Sequence, residues 1–237
     1  RWREGLDAGL LATEYGPADV RAHWAYANAL AAVAAYDDAI AQLERAIEIH
    51  PRFVPPFFEL AFLYLSSDMD QEAIATYDRI LSADPRNARA LLRQCEAYRK
   101  VGEFQRAVGF CEDAVTADPT YIAAQYRLGL IRYNDRQFDL ARQAFEACVE
   151  QDNANLDCSY RLGLTHYYLQ DCDTAWVMLQ DSLIMAQAQE NADTAIENIR
   201  QGLSAIASDP ACPGYAGQMP ELTPDPEAET TAEPGDL

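Results

Sequence analysis

Arg93, Arg127 and Arg161 stand 34 residues apart, and the last two each follow a tyrosine, Tyr126 and Tyr160. A guanidinium presents a planar fork of donors that matches a carboxylate, and a tyrosine ring offers broad contact area at little entropy cost. The spacing therefore points to recognition of a carboxylate-bearing ligand. Residue types suited to bond-breaking are scattered instead. His23, His50 and His166 have no HExxH, phosphate-binding glycine loop or nucleophile elbow around them. His166 reads as a hydrogen-bonded core residue, and His50, directly before Pro51, as a helix-end residue favoured by the dipole. Asp68 and Asp70 lack the glycine and distal glutamate of a calcium loop, and Asp70 reads as a helix cap. We expect no catalysis, no metal site and no cofactor.

Cys95, Cys111, Cys148, Cys158, Cys172 and Cys212 match no zinc spacing, since no two lie two to four residues apart. Two readings stay open. Cys95, Cys111 and Cys148 fall at interior positions and suit small buried hydrophobes with free thiols, the reading we favour. Alternatively, Cys148 near the end of one helix and Cys158 near the start of the next are placed to bridge. Cys212 falls in a stretch composed like a flexible tail, where a free thiol would be exposed.

The elements that position these side chains follow from the same interval. Tyr126-Arg127-Leu128-Gly129-Leu130 returns unchanged as Tyr160-Arg161-Leu162-Gly163-Leu164. Ala39, Ala73, Ala107, Ala141 and Ala175 keep the spacing, as do Pro17, Pro51, Pro85 and Pro119, followed by Asn153. A third column, Ala27, Ala61, Cys95, Gly129 and Gly163, is small throughout. Each unit thus reads as two antiparallel helices that approach closely where side chains are smallest, with small residues facing small ones and a proline closing the second helix.

On these columns, together with Leu60-Ala61, Leu128-Gly129, Leu162-Gly163 and the series Leu43, Tyr77, Phe145 and Leu179, the chain resembles the tetratricopeptide repeat (TPR) family over residues 20 to about 187. The resemblance implies an all-α, right-handed α-solenoid of about five helix-turn-helix units, at 20–53, 54–87, 88–121, 122–155 and 156–189. An N-terminal helix at 1–16 precedes the array of 17–190, and a capping helix at 191–208 comes after it. Residues 209–237 read as a disordered acidic, proline-rich tail. Residues 2–14 look like the second helix of an earlier unit, which leaves room for sequence upstream. Departures are polar: Gln125 and Ser159 stand where Phe57 and Leu91 do, and Arg132 and His166 where Leu30, Tyr64 and Tyr98 do.

With 18 basic against 38 acidic residues and a net charge of −20, nonspecific attraction to nucleic acid or an anionic membrane is not expected. No apolar run is long enough to insert into a membrane. We expect a soluble chain, in the cytoplasm ahead of a bacterial periplasm; heavy arginine and alanine usage suits a GC-rich genome.

The resemblance further implies that the first helix of each unit lines a concave groove. Projected onto that face are Trp24, Asn28, Phe58, Phe62, Arg89, Arg93, Tyr126, Arg127, Tyr133, Tyr160, Arg161 and Tyr167. Seven cations on it, including Arg21, Arg99 and Lys100, meet only Glu59, Glu96 and Asp157, the reverse of the overall charge. A chaperone-type carboxylate clamp matches in part, through Asn28, Arg89 and Arg93, while the asparagine ladder of sugar-transferring TPR enzymes is absent. The expected function is a noncatalytic adaptor that holds an extended or helical acidic segment of another protein. The rival is a structural or regulatory arm of a larger assembly or homo-oligomer, such as bacterial envelope or secretion machinery, packing through lateral surfaces. A third reading places the acidic tail in the basic groove.

Overall fold

The computed structural model describes residues 2–218, so the expected tail from 219 onward lies outside the described residues. Among the described residues, twelve α-helices succeed one another in chain order: α1 (Trp2–Tyr15), α2 (Val20–Ala32), α3 (Tyr36–Ile49), α4 (Pro55–Ser66), α5 (Asp70–Ala83), α6 (Ala88–Lys100), α7 (Phe104–Ala117), α8 (Ile122–Asn134), α9 (Phe138–Gln151), α10 (Leu156–Tyr168), α11 (Cys172–Gln187) and α12 (Asp193–Ser208). No strand occurs among the described residues. The pairs α2/α3 to α10/α11 are the five expected helix-turn-helix units, with α1 before them and α12 after.

Local chemistry sets the boundaries. Asp19, Asn87 and Asn155 accept backbone N–H bonds at the starts of α2, α6 and α10, and Pro55 opens α4 where its missing N–H is harmless. The second helices end at His50, Asp84, Asp118 and Asp152, and the next residues are Pro51, Pro85, Pro119 and Asn153. Asp70 does not cap α5; it accepts from Lys100 Nζ at 2.7 Å, because the backbone at Met69 takes the cap position. Within each pair the chain reverses through a left-handed residue: Ala34, Asp68, Gly102, Arg136 and Gln170, with φ between 57° and 83°. These five are spaced by 34 residues, and only Gly102 escapes the steric cost of a Cβ there.

The described helices gather into two compact units that divide between Leu128 and Gly129. In the first, α1 to α7 pack consecutively around Leu43, Ile47, Leu60 and Tyr77. Burial pushes the Tyr77 phenol up to about 12. In the second, α10, α11 and α12 enclose Leu179, Leu183, Ile199, Leu203 and Ile206. The expectation that small faces small is corrected here. A Cβ on Gly129 would lie 2.6 Å from the Phe145 ring, and one on Gly163 would lie 3.1 Å from Leu179. The small column is thus opposed by the large one sixteen residues on, which is how two helices interlock with neither cavity nor overlap.

Unit three replaces both members of that pairing by cysteine, and Cys95 is disulfide-bonded to Cys111 across 16 residues. Cys148 joins Cys158, as the bridging reading expected, and Cys172 joins Cys212, so no cysteine is free. The favoured free-thiol reading is overturned: the Cα separations of 5.3, 6.1 and 5.7 Å place each pair within bridging reach. Loop closure makes each bridge worth about 3–4 kcal/mol. The beginning of the tail is corrected too. Residues 209–218 dock on the fold through the buried Cys212, a short 3₁₀ turn at Pro213–Tyr215 and a Tyr215 ring stacked on Trp176 at 4.8 Å. Side chains with apolar area hold this stretch, and most of the acids and prolines that suggested disorder lie beyond residue 218.

Ala34→Gly is expected to raise stability by about 0.5–1 kcal/mol, since relief of left-handed crowding exceeds the added chain entropy. Gly129→Ala, which drives a methyl into Phe145, is expected to lower it by about 1–3 kcal/mol. Urea unfolding with the disulfides intact measures both.

Candidate functional site

Helical spacing places Arg89, Arg93 and Glu96 along one side of α6, and the sequence provides local partners for most of the cations. Arg93 Nη1 donates to Glu96 at 2.6 Å, and Arg127 Nη2 on α8 donates to the other oxygen of Glu96 at 2.8 Å. Burial works against the Arg93 charge, but the Glu96 bond outweighs it and raises its pKa. Lys100 Nζ binds Asp68, Asp70 and the Leu65 carbonyl, and Arg89 lies over the Phe58 ring at 4.1 Å. The expected surplus of free positive charge in the first unit is therefore largely consumed by its own acids and rings.

Other expected contact residues divide by exposure. Phe58 and Tyr160 are 8% and 3% exposed and belong to the core, a correction that comes from Phe58 packing on Tyr77 and Tyr160 joining the α10–α12 cluster. Phe62 is 62% exposed, and Asn28 is exposed on α2. Trp24 is half-buried, edge-on to Phe53 at 5.6 Å, with its Nε1 enclosed and unpaired. Tyr126, Tyr133 and Tyr167 are half-buried.

Arg161 differs from its two column-mates. One repeat after Glu96 the chain has Leu130, and two repeats after it Leu164. Among the described residues Arg161 makes no ion pair; its guanidinium carbon lies 5.9 Å from the Tyr133 ring centre and 5.0 Å from that of Tyr160, and its Nε is buried without a hydrogen-bond partner. Around it, within the second unit, the ends of α8 and α10 build an aromatic cluster. Tyr168 stacks on Phe138 at 4.7 Å and meets Tyr133 edge-on at 5.5 Å, with Tyr167 alongside at 5.4 Å. Burial, reinforced by the Tyr168 phenol, pushes Tyr133 far above the ordinary tyrosine range, so it stays a neutral donor.

A cavity of about 210 Å³ opens between these rings and α12. Tyr133, Arg161, Leu164, Tyr167 and Tyr168 form one side, and Asn198, Gln201, Gly202 and Ala205 the other. Gly202 permits the approach, because a Cβ there would lie 2.6 Å from Leu164 Cδ2. A second cavity of about 290 Å³ lies over Tyr133, Asn134, Arg136, Phe138 and Tyr168. The α12 wall and Phe138 are not among the residues that sequence alone points to: α12 reads there only as a cap, although Phe138 stands one repeat after Phe104 and could have been found from it.

Two of the three histidines are held by local contacts. The His23 ring nitrogens lie 2.7 Å from Gln42 Oε1 and 3.2 Å from the Pro17 carbonyl, and His166 Nδ1 sits 3.0 Å from Asp171. The other polar departures are likewise satisfied, Gln125 by the Pro119 carbonyl and Ser159 by the Asn155 carbonyl. Among the described residues no three His, Cys, Asp or Glu side chains gather to hold a metal, and no helix is long and apolar enough to cross a membrane. What the arrangement can do is hold a carboxylate at Arg161 with apolar matter against the rings.

The fold is a succession of helix-turn-helix repeats. Tetratricopeptide repeat models match residues 30–95, 71–122 and 123–152, and the chain belongs to that family. Solved structures of similar fold include YrrB, described as a TPR protein with an unusual peptide-binding site (22% identity, 81% of this chain and 99% of that one, TM-score 0.59). Others are MamA residues 41-end from Desulfovibrio magneticus RS-1 (19%, 73% and 97%, 0.61) and a tetratricopeptide repeat protein from Parabacteroides merdae ATCC 43184 (15%, 81% and 76%, 0.66). No curated protein matches the chain by sequence.

Glu96→Gln, which unpairs two arginines, is expected to lower stability by about 1 kcal/mol, with much of the loss vanishing at high salt. Arg161→Gln, which breaks no ion pair and removes the unbonded Nε, is expected instead to raise stability by about 0.5 kcal/mol, a change that salt leaves unaltered. Denaturation at low and high ionic strength separates them.

Proposed function

We propose that the chain is a noncatalytic adaptor that holds an extended, acid-bearing segment of a partner protein in the second unit, where α8, α10 and α12 present the aromatic cluster and Arg161. The observation that carries this reading is the loss of the acid at Leu130 and Leu164, which leaves one partly enclosed guanidinium without a carboxylate of its own. An unpaired cation among rings gains most from a carboxylate supplied by a ligand, and the rings provide area at low entropy cost. Tyr133, Arg161 and Tyr167 thus become the centre of the site. The peptide-binding site ascribed to YrrB agrees with this use of the fold, at the level of fold alone.

Screening a library of synthetic peptides against the full chain is expected to enrich sequences with Asp or Glu beside an apolar residue. Arg161→Gln combined with Tyr168→Ala should weaken the enriched peptides about tenfold or more. Equal binding by wild type and variant would defeat the reading.

Lateral packing within a larger assembly is favoured by a different observation. Val177 and Ile184, 54% and 64% exposed, lie seven residues apart on α11 and so share one face. Replacing both by glutamate is expected to leave peptide binding intact and to abolish any self-association seen in sedimentation velocity.

A further inference from the structure

We propose that the chain works in an oxidising compartment, where the Cys172–Cys212 bridge straps residues 209–218 across the end of the second unit and thereby keeps the Arg161 pocket formed. This rests on the reading of that pocket as the binding site.

Four residues, Asp209, Cys212, Tyr215 and Gly217, anchor the strap. Asp209, at the end of α12, accepts a hydrogen bond from Tyr167 Oη at 2.8 Å, which ties the strap to a wall of the pocket on α10. Cys212 is covalently joined to Cys172 at the start of α11, 40 residues away. The Tyr215 ring stacks on Trp176, and its hydroxyl donates to Asp173 at 2.8 Å. Gly217 N–H then returns to the Ala207 carbonyl of α12 at 3.3 Å. Through these contacts the C-terminal end of α12 is fastened to α10 and α11. The opposite wall of the pocket, Asn198, Gln201, Gly202 and Ala205, is α12 itself. Among the strap contacts, the bridge is the strongest, because the others are a ring stack and hydrogen bonds at exposed or part-buried positions that water can replace.

The compartment is inferred from the complete set. Six cysteines form three pairs and none is left over, whereas disulfides of this kind persist in oxidising surroundings and are rare where glutathione and thioredoxin keep thiols reduced. This replaces the cytoplasm expected from composition. Each bridge forms when two thiols give up two protons and two electrons to a disulfide-bearing oxidoreductase, which leaves as a dithiol after thiol–disulfide exchange. A dithiol reductant runs the same exchange backwards and frees the strap.

Two measurements test the proposal. Protein taken from its native cells and alkylated under denaturing conditions before any reduction should carry no label on Cys172 or Cys212; labelling of most copies would overturn the compartment. Hydrogen exchange on the full chain should show residues 193–208 exchanging about tenfold faster or more in the Cys172→Ser/Cys212→Ser variant, while Cys95→Ser/Cys111→Ser leaves that helix unchanged. Unchanged protection of α12 would overturn the strap. Should the double variant fail to fold, stepwise reduction of the wild-type chain, with exchange monitored as the Cys172–Cys212 pair opens, gives the same two outcomes. Exchange reads the strap without any ligand, so a loosened α12 beside a failed peptide screen would count against the binding reading alone.

Discussion

The close approach of the two helices within each repeat is the constraint that governs the remaining structure. A residue with little or no side chain on the first helix admits a large one from the second, sixteen residues on: Gly129 receives Phe145 and Gly163 receives Leu179. Ala27 with Leu43 and Ala61 with Tyr77 occupy the same two columns and are buried alike. Where neither partner is large, as at Cys95 and Cys111, a covalent bond fills the place of the missing bulk. Once that approach is fixed, every residue at a given column holds the same position within its own helix pair. Arginines that recur at one column therefore recur on one face of successive first helices.

The same register explains what was legible in the sequence. Exact recurrence of the alanine and proline columns identifies helix pairs, their ends and their number. The left-handed turns were visible only at Gly102, because Ala34, Arg136 and Gln170 carry no conformational signature of their own and Asp68 only a weak one. Their backbone is imposed by the helices on either side, so the position belongs to the repeat rather than to the residue. The cysteines divide in a similar way. Cys148 and Cys158, ten residues apart across one turn, could be paired on paper. Cys172 and Cys212 could not, because bulk composition after Asp209 is dominated by acids and prolines that lie beyond the docked strap.

Positions on the repeat face were legible more readily than the states of the side chains there. Repeat geometry names the face that carries Arg93, Arg127 and Arg161, but it does not say which of them meets an acid. That depends on Glu96, which reaches Arg93 on its own helix and Arg127 on α8. Nor does it separate Tyr160, enclosed by α11 and α12, from Tyr133 and Tyr168 at the helix ends. Burial of that kind is set by the neighbours of a repeat. It changes at the end of the array, where α12 replaces a further full unit.

Arg161 is where these differences meet. An arginine inside a repeat is stable when the adjacent repeat supplies a carboxylate, as Glu96 does for Arg127. Exchange of that acid for leucine at Leu130 and Leu164 removes the partner while the arginine stays, with its Nε enclosed and unbonded. An enclosed donor without a partner costs about 1–3 kcal/mol, and stacking on Tyr133 and Tyr160 offsets only part of this. The remaining deficit is free energy that a carboxylate-bearing ligand can recover. On the proposed reading, local imperfection in an otherwise consistent repeat marks the place where the chain gains most from a ligand outside itself.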